Sequence, residues 1–112
     1  METMTAAHLL REYLKEEVPH RITGGAGSDR LLIQVAPFCY RTNIVVQVEG
    51  NILSVGLWSV SKRADVKEWV NKWVKRIVKT TWYDIHDPHS FPCIRDRVME
   101  IMADYERAGL NS

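Results

Sequence analysis

A chain of 112 residues with 46 % hydrophobic and 26 % charged side chains has the length for one domain around its own core and the composition of a globular protein, not a disordered one. No apolar run approaches the ~20 residues needed to cross a bilayer. The N-terminus lacks a basic region followed by an unbroken apolar stretch, so the chain is expected to be soluble and cytoplasmic. The two cysteines, Cys39 and Cys93, show no CxxC spacing and fit a reduced setting.

The first element is a helix. Thr5 is placed to cap it, Met4 and Leu9 stand at staple spacing, and Leu9, Leu10, Tyr13, Leu14 and Val18 follow the helical period up to Pro19. Strands come next. "HRIT" and "RLLIQVA" flank the loop "GGAGSD", whose glycines suit a hairpin turn. That loop lacks the lysine and hydroxyl of a phosphate-binding loop and leads into a strand, so no phosphate site is read there.

"NIVVQV" and "LSVGLW" frame a second hairpin. With Gly50 and Asn51 as the central turn residues, Glu49 pairs with Ile52, Val48 with Leu53, Val46 with Val55 and Ile44 with Leu57. One face of this hairpin is then wholly aliphatic. The other receives Val45, Ile52 and Trp58 among polar neighbours, and such residues are expected to be covered by part of a helix or by a partner.

A second helix is expected from just after Ser61 to about Thr81, with Asp65 in its first turn. Val66, Trp69, Val70, Trp73, Val74, Ile77 and Val78 fall on one wide arc, and Lys72, Lys75, Arg76 and Lys79 form a stripe on the other side. The tryptophans are not interleaved with the cations, which disfavours base stacking and leaves a purely electrostatic stripe. Charge is segregated along the chain: residues 1–58 carry 5 basic and 6 acidic side chains, 59–82 carry 7 and 2, and 83–112 carry 3 and 6.

A third helix follows "YDIHDPHS", started by Ser90 or by Asp87 with Pro88 and stopped by Gly109. Phe91, Ile94, Val98, Ile101, Met102 and Tyr105 make its apolar stripe. Asp96, Glu100 and Asp104 make an acidic one, so the two helices could pair their stripes within the fold or across a dimer. His86, His89 and Cys93 lack the second ligand pair of a zinc site, and Cys93, beside Phe91, Pro92 and Ile94, reads as an inert buried thiol. None of the usual catalytic constellations is present, so no enzyme activity, metal or cofactor is expected.

The fold expected is α+β in one domain spanning 1–112: an N-terminal helix, an antiparallel sheet of three or four strands and two C-terminal helices packed on one face. The function expected is that of a non-enzymatic binding or adaptor module working through protein contacts, as a homodimer or with another protein, with no membrane association. Val45, Ile52 and Trp58 are its candidate surface. The second reading is a nucleic-acid-binding regulator that contacts phosphates through Lys72, Lys75, Arg76 and Lys79.

Overall fold

The computed structural model describes residues 6–18, 22–24, 29–36, 41–78 and 83–110. In chain order these form α1 (Ala6–Glu17), β1 (Ile22–Gly24), β2 (Arg30–Gln34), β3 (Thr42–Glu49), β4 (Ile52–Ser59), α2 (Ala64–Val78), β5 (Tyr83–Asp84) and α3 (Ser90–Arg107). The α+β order is the expected one. Met4, Thr5, Pro19, Cys39, Lys79 and the expected end of α2 near Thr81 lie outside the described residues, as do positions 25–28 of the first hairpin loop.

The strands form one antiparallel sheet in the order β1-β2-β3-β4-β5. The central hairpin has the register that its turn dictates, from Glu49↔Ile52 through Val48↔Leu53, Val46↔Val55 and Ile44↔Leu57 to Thr42↔Ser59. Gly50 takes φ +60° in that turn, where a side chain would be strained. At the end of β1, Gly24 takes φ +96°, and a Cβ there would lie 2.3 Å from the Arg30 carbonyl oxygen. Only glycine lets the two strands approach so closely.

The sheet has five strands where three or four were expected. The additional one, Tyr83–Asp84, opens the segment expected to be a loop and pairs with Leu53 and Ile52. Two residues are too few to show alternation, and what holds them is tertiary: Tyr83 packs on the core, and the Ser90 hydroxyl donates to the Asp84 carbonyl. α3 starts at Ser90, one of the two expected starts, but no side chain caps it: Ser90 ties the helix to β5, and the residue at the cap position is His89, whose side chain caps nothing and whose N–H donates to Asp87 Oδ1.

All three helices cover the face bearing Leu31, Ile33, Ile44, Val46 and Leu53, each of which is fully buried. Burying a side chain of this size contributes about 1.5–3 kcal/mol each. α1 rests on β1, β2 and β3 through Leu10 and Leu14, with Val18 just beyond, and touches α3, whereas α2 rests on β4. Across the sheet the helices therefore lie in the order α1, α3, α2. Leu9, counted with the apolar stripe of α1, is exposed, because Ala7, Leu10 and Leu14 already fill the narrow strip that faces the sheet.

α3 ends as expected. Gly109 takes φ +72°, the Ala108 N–H donates to the Asp104 carbonyl, and the Tyr105 hydroxyl donates to the Leu110 carbonyl at 2.9 Å. These contacts fold Leu110 back into the core.

Candidate functional site

The charged stripes of α2 and α3 meet at a junction built around Asp104. Trp69 and Trp73 stand one turn apart on α2, so both indoles reach the same point on α3. Their Nε1–H groups donate to Asp104 Oδ2 at 2.9 and 2.6 Å. Trp69 meets Tyr105 edge-on at 5.1 Å between ring centres. One turn further along, the Arg76 guanidinium lies 4.5 Å from the centre of the Trp73 ring and bonds Glu100.

The carboxyl of Asp104 is held below its ordinary value of 3.8. The Trp73 indole is the main cause, with help from the Trp69 indole and the Arg107 guanidinium and against the opposing pull of partial burial. Trp69, Lys72, Trp73, Arg76 and Asp104 line a cleft of about 150 Å³ at this junction. Its acid already accepts two N–H groups and its rim is cationic, so the cleft reads as the seam between two packed helices.

The expected basic stripe is thus divided. Arg76 is engaged with Glu100 and Trp73, Lys72 lies 3.4 Å from Glu68 one turn earlier, Lys75 is exposed, and Lys79 is outside the described residues. Of the acidic stripe, Glu100 and Asp104 meet α2, whereas Asp96 pairs with its neighbour Arg95. The paired indole donors on one carboxylate were not foreseen. The signal available was two tryptophans at i and i+4 facing an acid on a neighbouring helix.

The second candidate is the helix-free face of the sheet. Cross-strand rows there are Gln34–Asn43–Trp58, Thr23–Leu32–Val45–Gly56, Arg30–Gln47–Ser54 and Glu49–Ile52–Asp84. Trp58 is 52 % exposed and Ile52 47 %, while Val45 is half-buried and Asn43, between Gln34 and Trp58, is buried. Val45 opposes Gly56 and so sits diagonal to Trp58. Ile52 does not join them: six residues along β4 put it about 20 Å away.

Two expectations about burial are corrected. The apolar arc of α2 spans about 180°, wider than one helix can bury on the flank of a sheet: Val66, Trp69 and Trp73 are buried, Val70 and Ile77 half-buried, and Val74 and Val78 are 38 % and 79 % exposed. Cys93 is exposed, because Ile94 and Val98 take the inward face of α3. His86 and His89 are also exposed, and among the described residues no three His, Cys, Asp or Glu side chains converge as metal ligands would. No helix of the described residues is long and apolar enough to cross a membrane. The chain matches no protein-family model, no curated protein and no solved structure.

Proposed function

We propose that this protein is a non-enzymatic, one-domain binding module of the cytoplasm that acts through protein–protein contacts, the first of them with a second copy of itself. The observation that carries the reading is Trp58, half exposed on a sheet face that no helix covers, with Val45 diagonal to it and Gly56 leaving a gap beside both. An exposed tryptophan is costly in water and is the side chain most often found anchoring a protein contact. The polyanion reading of α2 is weakened by the engagement of Arg76 with Glu100 and of Lys72 with Glu68.

Light scattering at increasing concentration tests the proposal. The mass should approach twice the 13.0 kDa of the chain, and Trp58→Glu should return it to the monomer value, since a charge taken into an interface without a partner is costly. A native chain that remains monomeric at high micromolar concentration would sink the self-association reading.

A further inference from the structure

We propose that the outer edge of β4 from Val55 to Ser59, which no strand among the described residues covers, is where two copies of this chain join, antiparallel about Leu57, so that their sheets continue as one. The inference rests on the self-association reading and gives it a geometry.

The backbone directions follow from three hydrogen bonds. The Val48 N–H donates to the Asp29 carbonyl and the Val35 N–H to the Thr42 carbonyl, which turns the even-numbered residues of β3 toward β2. The Val60 N–H donates to the Arg41 carbonyl, so the odd-numbered side of β3 faces the even-numbered residues of β4. By alternation, the N–H and C=O groups of Leu53, Val55, Leu57 and Ser59 point away from β3. β5 pairs only with Ile52 and Leu53. Among the described residues, no strand takes Val55, Leu57 or Ser59.

Exposed edges are usually blunted by a charge, a proline or a bulge. The segment "SVGLWSV" from Ser54 to Val60 has no charged residue and no proline, and its register with β3 runs unbroken to Ser59. It is also self-complementary. A twofold axis at Leu57 sets that residue against its own copy, Val55 against Ser59, and Gly56 against Trp58. On the open face each Trp58 then lies beside Gly56 of the second copy, where, among the described residues, the one atom within 4 Å of a would-be Cβ is the Val45 carbonyl oxygen at 3.9 Å. An aromatic ring laid across a strand glycine covers backbone that the glycine leaves bare.

Helix α2 supplies an independent observation. The flank that carries Trp69 and Arg76 is turned to α3 through Asp104 and Glu100. The opposite flank carries Val70, Val74 and Val78 at i, i+4 and i+8, half-buried, 38 % exposed and 79 % exposed respectively. Since α1 rests on β1, β2 and β3 and touches α3, while α2 rests on β4 and turns its Trp69 flank to α3, this valine flank is turned toward the outer edge of β4. The twofold that pairs the strands brings the two flanks together above them.

The contact is small. An edge about 20 Å long and layers about 15–20 Å deep give roughly 300–400 Å² in projection on each copy, or roughly 600–800 Å² in total, below the ~1,200 Å² at which stable specific interfaces begin and in the range of weak, transient ones. Dissociation on dilution through the micromolar range is therefore expected.

Sedimentation equilibrium of the full chain and of Val74→Glu and Gly56→Lys, each checked by circular dichroism for a native fold, tests the geometry. Val74 is exposed and Gly56 has room for a side chain in the monomer, so neither change disturbs the core. Expected is a native dimer and, for both variants, a dissociation constant raised at least ~30-fold. Val74 is remote from the open sheet face. A dimer that tolerates Val74→Glu overturns the β4 pairing and leaves self-association through that face standing, and one that tolerates Gly56→Lys overturns the pairing as well. A native chain that sediments as a monomer throughout overturns both readings.

Discussion

Replacing Asp104 tests the seam between α2 and α3 more directly than any other single change. In Asp104→Ala the Nε1–H groups of Trp69 and Trp73, whose residues are only 8 % and 3 % exposed, lose their acceptor together. A buried donor left without a partner costs about 1–3 kcal/mol. The side chain of Asp104 is itself 35 % exposed, so water can take up part of the vacated position, and the expected loss is about 2 kcal/mol in total, or roughly 8 °C in Tm. Asp104→Asn keeps a carbonyl oxygen that can accept both bonds but loses the charge, so about half of that loss is expected, roughly 1 kcal/mol. Chemical denaturation followed by tryptophan fluorescence measures both. The acid limb gives a second readout. The folded carboxyl is depressed below its unfolded value, so its contribution is complete above the unfolded value near pH ~4 and is lost as pH falls through the folded one. The native chain should lose this increment on acidification, and the Asn variant has none to lose. Equal stability of the Ala and Asn variants, or a loss under ~0.5 kcal/mol for both, would refute the account of the seam.

Other changes test other links. Ile44→Ala, at a fully buried site in the centre of the sheet, is expected to cost about 2–5 kcal/mol by equilibrium denaturation. Gly24→Ala places a methyl group against the Arg30 carbonyl at positive φ; it should expose the β1 amides to hydrogen exchange before it lowers the Tm, and unchanged protection would contradict the tight approach. Lys75→Gln, at an exposed position, should alter stability by less than ~0.5 kcal/mol. Mixed-sequence DNA titrated at low ionic strength should show no binding, and a steep salt-dependent isotherm that this substitution flattens would restore the polyanion reading.

The hairpin of β3 and β4 was legible to the residue because a two-residue turn leaves no freedom of register. The alternation that follows also separates the buried face from the one bearing Val45 and Trp58. What escaped the sequence depends on distant partners. β5 is two residues long and is a strand only because Leu53 and Ile52 are beside it. The valines of α2 repeat at a core spacing, but only the placement of α2 at the flank of the helix layer decides that Val74 and Val78 stay exposed. The surplus charge of α2 and the deficit of α3 suggested a meeting of the two helices, and Arg76 with Glu100 provides it. That the indoles of Trp69 and Trp73 would converge on one oxygen of Asp104 depends on the rotation of both helices, which periodicity does not set.

Strands that neighbour one another in the same order as they follow along the chain have a kinetic consequence. The β3 and β4 hairpin closes through two residues and so forms at small loop-closure cost, whereas contact between α1 and α3 joins the two ends of the chain across the whole sheet. The transition state for folding is therefore expected to contain that hairpin and to lack the docked ends. Shaving Val46 or Leu53 should slow refolding, while shaving Leu10 or Ile101 should chiefly speed unfolding. The segments whose substitution hastens loss of the native state are then the outermost in the chain, and the nucleus lies near its middle.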